Sequence, residues 1–478
     1  MKQIRIIAGL FLKVVFRNRA LAAIYAIWLL LVAFAAATGW KTYAGQQGIR
    51  TQMQQAARQS WEANPDKHPH RMAHFGTFAF RQKHPLSMFD YGMESFTGNA
   101  VFLEAHKQNT VNFSEAGFST GLLRFGEISL AMLVIVLLPL ILFFLGFDAV
   151  ARQKENGTLK ILLIQGAGFT PVIWGNCLGM FVLAIGFLLP VVIAVAVLLG
   201  MQDAPMAGGL LRGSLLLAIC LAYLWLAGVV AICVSARSDS GRTALLKLLG
   251  LWLFMTIVLP KTLQSAGSAL FPAPGKIAFD TAVEKDVLAI GDSHNPNDPH
   301  FKHMKDSVLK ANGVDSVQQL PFNYGGFVMR EGERMSAEVY NAHLQGLYDI
   351  YGRQNAVSAW AAFADPVIGI RNLSMALSGT DFGAYRKFQD DAEAYRYQLA
   401  QTMNELQIEY IPNAQPAKNE KPHQIGREHW AEFGDFQHEF QPVPTVLGQE
   451  LPAIVAVLTW FGLSFVLIFF TSRKAKAL

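Results

Sequence analysis

The sequence predicts an α-helical polytopic membrane protein, with six transmembrane helices and a mainly helical extramembrane domain built from two insertions. Three observations carry this reading. Hydrophobic residues make up 52% of the 478 and charged residues only 16%, where a soluble globular chain carries roughly 25% charged. Six apolar runs, at 20–40, 128–147, 171–200, 213–234, 243–260 and 452–471, come close to or exceed the length of about 20 residues that crosses the hydrocarbon core. Basic residues gather in the segments on one side of those runs. The apolar content also excludes a disordered chain, and three cysteines are too few for a disulfide scaffold.

In residues 1–19, Ile4, Ile7, Phe11, Val14 and Val15 fall near one helical face while Lys2, Arg5 and Lys13 can reach headgroups. That is the pattern of an amphipathic helix lying in the membrane plane, with an N-terminal extension of the first span as the alternative. The first span, 20–40, has basic residues before it and an Ala-rich end, like a signal peptide. Its apolar run is longer than the 7–15 residues of such a segment, so it reads as a retained anchor. Of the remaining spans only 243–260 contains a charge, Lys247, placed near an end where its stem can snorkel.

Charge then orients the spans. The segments before 20, at 148–160, at 237–247 and after 471 hold fourteen Lys or Arg against Asp148, Glu155 and Asp239. By the positive-inside rule these faces are cytoplasmic, both termini included. Residues 148–170 become a cytoplasmic loop and 472–478 a cytoplasmic tail, while 41–127 and 261–451 lie outside as two insertions. Residues 262–450 carry fifteen basic and twenty-four acidic groups. The net charge of +5 is therefore a sum over two faces, and no nucleic-acid partner is implied. The second insertion reads as helical at 335–363 and 382–409, with a loop at 291–299 and a linker at 434–444. All three cysteines, Cys177, Cys220 and Cys233, fall in spans and read as small packing residues.

All twelve histidines lie in the insertions. His68, His70, His74 and His84 cluster with Met72, Met88 and Met93; His294, Asp298, His300 and His303 form a second group. Imidazole, carboxylate and thioether are metal-binding groups, and thioether favours Cu(I). Apolar spans leave histidine few other places to sit, so structural or solvent-facing roles are the default. His68, His70, His74, His294, His300 and His303 stand as metal candidates only. No HExxH or CxxC spacing, no phosphate loop GxxxxGK[ST] and no GxSxG elbow occurs. Nothing nominates an enzyme or a cofactor bound by this chain.

The loop after the second span is more specific. It runs Arg152-Gln153-Lys154-Glu155-Asn156-Gly157-Thr158-Leu159-Lys160 and on through Leu162, Leu163 and Gly166. A short amphipathic helix held under the bilayer is a docking surface for a cytoplasmic partner, whereas a charged loop turning at Asn156-Gly157 is the plainer reading. The Glu-x-Gly-Thr-Leu-x-x-Leu-Leu pattern, the in-plane helix and the six spans together resemble type-2 ABC transporter permeases. Leu103-Glu104-Ala105-His106, Arg124-Phe125-Gly126-Glu127 and the run Ile370–Asp381 resemble an uncharacterised branch with large periplasmic insertions after transmembrane helices one and five.

The resemblance implies a type-2 ABC exporter fold in the cytoplasmic (inner) membrane. It implies a coupling helix carried by Arg152, Glu155, Gly157, Thr158, Leu159, Leu162 and Leu163. A cytoplasmic ATP-binding subunit would supply ATP and Mg, and a second permease chain, identical or paralogous, would complete the complex. A periplasmic partner is a further expectation. The rival readings are a mechanotransmitter that moves periplasmic domains without transport, and a permease serving metal or metallocofactor maturation. The spans offer almost no ionisable groups, which suits a lipidic cargo or none.

Overall fold

The computed structural model describes residues 1–112, 114, 127–202, 208–295, 297–414 and 422–473. Arg124–Gly126 of the quoted motif and Lys474 and Lys476 of the basic tail lie outside these. In chain order the structure begins with α1 (Lys2–Arg17), α2 (Arg19–Glu62), α3 (Pro69–Phe75) and the strands β1 (Thr77–Phe80) and β2 (Ala100–Leu103). Helix α4 follows as Leu130–Met132, a π-helical segment Leu133–Leu137, and Leu138–Gly146. Then come α5 (Ala151–Glu155), α6 (Thr158–Ile164), α7 (Phe169–Gly200), α8 (Gly209–Arg237) and α9 (Gly241–Leu270). The remainder is α10 (Lys276–Ile290), α11 (Pro299–Asn312), α12 (Tyr324–Ala361), α13 (Pro366–Ser378), α14 (Phe382–Tyr410), α15 (Glu428–Ala431), α16 (Val443–Gln449) and α17 (Leu451–Arg473).

Six of these helices are long and apolar enough to cross a membrane: α2, α4 with its continuation, α7, α8, α9 and α17. Asn18 breaks α1 from α2 with an extended backbone, and its side-chain oxygen accepts from the Ala20 N–H at 3.0 Å. Helix α2 has 44 residues, which at about 1.5 Å each is about twice the hydrocarbon thickness. Its second half therefore leaves the apolar zone as a stalk, and the polar residues after 40 continue the first span without a break.

The first helix lies across α7. A Cβ at Gly175 would come within 2.7 Å of Ile7 Cβ, and one at Gly179 within 2.6 Å of the Phe11 ring, so two glycines one turn apart let the helices touch. Ile4, Ile7, Phe11 and Val15 turn at least partly away from solvent, but Val14 is 69% exposed and joins Ile6 and Leu10 on the outer face.

Prolines shape the bundle, and aromatic side chains from neighbouring spans repair what they break. Pro139 cannot donate to the Ile135 carbonyl, and the helix widens into its π-helical segment just before it. The Tyr223 hydroxyl donates to that carbonyl at 2.9 Å, and Trp252 Nε1 donates to Val136 O at 2.9 Å. Pro190 similarly frees Gly186 O, which accepts from the Tyr25 hydroxyl at 3.3 Å, while Trp28 Nε1 donates to Phe187 O at 2.8 Å. In hydrocarbon an unpaired carbonyl has no water to turn to. Tyr25→Phe is therefore expected to destabilise the bundle by about 1 kcal/mol, read as an earlier unfolding midpoint in detergent titration; an unchanged midpoint would refute the role.

Outside the bundle the two polar stretches interlock. β1 and β2 pair antiparallel from Thr77↔Leu103 to Phe80↔Ala100. Trp61, Met72, Leu399, Met403 and Trp430 form a shared core, and Trp61 Nε1 donates to Trp430 O at 2.7 Å. Helix α12 starts at Tyr324, well before the 335 expected from apolar spacing. Asn323 caps it by accepting from Gly326 N–H at 2.8 Å. Gly326 is a packing position, since a Cβ there would lie 2.9 Å from Ile408. The missing side chain at Gly326 is what lets α12 approach α14 there.

Candidate functional site

The loop after α4 folds into an elbow. α5 and α6 are separated by Asn156 and Gly157, with Gly157 at φ +70°, a left-handed conformation that glycine adopts without strain. The elbow is fixed to the end of α8. Ser235, fully buried, accepts from the N–H groups of Val150 and Ala151, both at 3.0 Å, and Lys154 Nζ donates to Ala236 O. Gln3 Nε2 also donates to Gly166 O at 3.3 Å, so α1 touches the far side.

Leu159 is buried beneath the elbow; Leu162 and Leu163 are half-buried; Arg152, Glu155 and Thr158 are exposed, and Gly157 lies between them. Arg152 sits 3.6 Å from Asp148, largely in solvent, where such a pair contributes little. Ile161 and Ile164 are 56% and 85% exposed. The residues singled out in this loop thus share one local elbow, with Arg152, Glu155 and Thr158 on its outer side and Leu159 on its buried side. Ser235 and Lys154, which hold it to α8, carried no signal in the pattern.

The run 370–381 has a structural role at the opposite end of the bundle. Gly379, at φ +68°, ends α13, and Asp381 caps α14 by accepting from Gly383 and Ala384 N–H. Arg212, buried at the start of α8, donates to Ala376 O and Leu377 O at 3.2 Å each and to Gln441 O. Ser374 donates to Asp90, and Thr380 O accepts from Met93 N–H at 2.8 Å. The start of α8 and the two polar stretches that follow α2 and α9 meet here.

Beside this joint Glu94 is buried among three cations. Arg50 and Lys83 lie 2.9 and 3.0 Å away and Arg81 3.8 Å. Burial alone would raise the Glu94 carboxyl, but Lys83, Arg81 and Arg50 outweigh it and bring the pKa down to about 2. His84 and His438 stay neutral nearby, each held at about 3 chiefly by burial and then by neighbouring cations.

The histidines regroup. His70 and His74, on α3, meet His106, with ring centroids 4.6, 5.4 and 5.2 Å apart pairwise. His294 reaches the same cluster, 5.4 Å from His106. His70 is held at about 4 by burial and then by His106 and His74. His68 instead caps α3, its Nδ1 accepting from His70 N–H, and His84 packs edge-on against Phe440. His300 packs edge-on against Phe301, and His303 is exposed on α11. Met72 and Met88 are fully buried in separate apolar clusters, so the thioether grouping dissolves.

The cluster contains two residues that sequence spacing missed. His106 follows β2 at φ +61°, the non-glycine left-handed residue among those described. Glu333, on α12, is fully buried; it accepts from the His106 N–H at 2.9 Å and lies 3.3 Å from His106 Nδ1. Burial pushes the Glu333 carboxyl up, but the His106 contact and the Arg396 charge bring it to about 2. Arg396, also fully buried, pairs with Glu333 at 2.6 Å and with Glu393 at 2.8 Å.

Comparison with known proteins agrees with the membrane architecture. The family model described as "ABC-2 family transporter protein" matches residues 6–290, and a domain of unknown function (DUF3526) matches residues 276–439. The probable ABC transporter permease protein NosY of Pseudomonas aeruginosa is 33% identical over 144 residues, which cover 27% of this chain and 48% of that protein. The chain thus spans about half the length of the curated relative it matches. With six candidate spans and a family match over more than half of its length, the chain belongs to the ABC-2 transporter family and is a multi-pass permease subunit of an ABC transporter.

Proposed function

We propose that this permease couples a cytoplasmic ATP-binding subunit, which carries ATP and Mg, to outward transport, and that force enters at the α5–Gly157–α6 elbow. The observation that carries this is the clamp of Ser235 and Lys154 on α5, beside an α6 that presents Ile161 and Ile164 outward. Ile161 and Ile164 together give α6 an exposed apolar edge that an apolar groove on the ATP-binding subunit would cover. A movement imposed on α6 would pass through the buried Leu159 and the Ser235 clamp into the fourth span.

In this reading both termini and the elbow face the cytoplasm of a bacterial inner membrane, and the interlocked insertions form a periplasmic domain able to meet a periplasmic partner. A second permease chain covers the broad apolar face of α9, where Leu246, Leu253, Phe254 and Val258 are all exposed. The walls open to a cargo are apolar: a groove of about 360 Å³ between α8 and α17 is lined by Leu226, Val230, Trp460, Leu467 and Phe470, with Arg237 at one end. Asn176, the buried polar residue of α7, is already satisfied by Val172 O. A lipidic or amphipathic cargo fits such walls.

Ile164→Glu tests the docking step. Co-purification of the co-expressed ATP-binding subunit should weaken by about tenfold or more, as for loss of an interface anchor, with normal membrane insertion. Undiminished association would overturn the assignment of α6 as the docking element.

A further inference from the structure

We propose that His70, His74 and His106 form a binding site for one divalent transition-metal ion of the zinc type, with Glu333 as the positioning residue for His106. The site joins the two insertions, because the ligands come from the first and Glu333 from the second. It does not depend on the coupling reading.

The geometry starts with helix α3. His70 and His74 stand four positions apart, so both imidazoles lie on one face. The turn after β2 brings His106 against them, and one ligand nitrogen from each of the three lies within 4.8 Å of the others. Tetrahedral zinc holds imidazole nitrogens at about 2.0–2.1 Å, hence about 3.4 Å from one another. Rotation of the rings about their χ angles by an ångström or so closes that gap.

Two of the nitrogens are unpaired: His70 Nδ1 and His106 Nε2 are buried and have no hydrogen-bond partner among the described residues, a state that is costly when left unsatisfied. The Glu333 carboxylate 3.3 Å from His106 Nδ1 favours the proton on that nitrogen and leaves the unpaired Nε2 as the lone pair open to an ion. A carboxylate behind a ligating imidazole is the usual support of a metal histidine, and Arg396 and Glu393 hold this one in place from behind. The left-handed backbone at His106 is a further local cost, of the kind that persists where a side chain must point one way.

The donor set selects the ion. Three neutral imidazoles with no thiolate and no coordinating carboxylate suit Zn²⁺, Cu²⁺ or Ni²⁺ and leave hard oxygen-seeking cations unbound. His294, in the loop before α11 and largely exposed, stands close enough to His106 to supply a fourth nitrogen. His74 is exposed and gives the ion its way in.

The full-length protein in detergent, stripped with a chelator, would be titrated with Zn²⁺ and separately with Co²⁺. One ion per chain is expected, with the visible Co²⁺ absorption of a tetrahedral nitrogen site. His74→Ala, at an exposed position that spares the fold, should weaken binding at least a hundredfold and abolish the Co²⁺ band. Glu333→Gln should weaken it roughly 10–100-fold, and His303→Ala should leave it unchanged. Equal binding by wild type and His74→Ala, or equal loss in His303→Ala, would overturn the site.

Discussion

Gly157→Pro is expected to cut permease-stimulated ATP turnover by about a hundredfold while the chain still inserts and assembles. The residue sits at φ +70° between α5 and α6, whereas proline is locked near −65°. Its N–H also donates to Lys154 O at 3.1 Å, and proline has no such donor. A backbone forced out of this turn would have to re-aim α6 against the α8 clamp, at about 3 kcal/mol or more, which is a factor of over a hundred in a coupled equilibrium. Gly157→Asn is the control. Asparagine tolerates the left-handed region, and no heavy atom lies within 4 Å of the added Cβ, so most of the activity should remain. The measurement is ATP hydrolysis in proteoliposomes containing the permease and its ATP-binding subunit. Wild-type turnover in Gly157→Pro would remove the elbow from the mechanism.

Glu94→Gln is expected to destabilise the extramembrane domain by about 3–5 kcal/mol, because it leaves the buried cations Arg50, Arg81 and Lys83 without their shared anion. These groups are only 4–5% exposed, so water does not replace the lost charge. The pH dependence has a definite sign. The folded carboxyl titrates at about 2, below its ordinary value of 4.5, so its contribution is complete above about 4.5 and is lost as pH falls through about 2. The gap between wild type and Glu94→Gln should therefore be constant from pH 5.5 to 8 and close only in strong acid. Denaturant titration followed by pulse proteolysis within this domain, whose core holds Trp61 and Trp430, reads it. A gap below about 1 kcal/mol would mean that the cations find other partners.

The spans were legible because crossing a bilayer is a one-dimensional demand on length and apolarity, and each of the six runs met it within one continuous helix. The Asn-Gly turn of the elbow was legible for a similar reason, since a left-handed residue leaves a local mark. The clamp on the elbow was not. Ser235 lies 85 positions beyond Val150, and a serine near the end of an apolar helix looks like any other. The glycines at 175 and 179 did carry a spacing signal, one turn apart in an apolar helix, but only the structure places α1 against them.

The histidines show the limit most clearly. The spacing of His70 and His74 marks a shared helical face, yet proximity in sequence also drew in His68, His84, His300 and His303, which the fold sends to a helix cap, an aromatic contact and the surface. The residues that complete the cluster, His106 and Glu333, are 227 positions apart. The amino-acid sequence by itself determined that this chain is a six-span helical membrane protein, because hydrophobic length is a property of contiguous segments. Only the tertiary structure decided which side chains share a site, because the meeting of α3, the turn after β2 and α12 depends on how two distant polar stretches of the chain pack together.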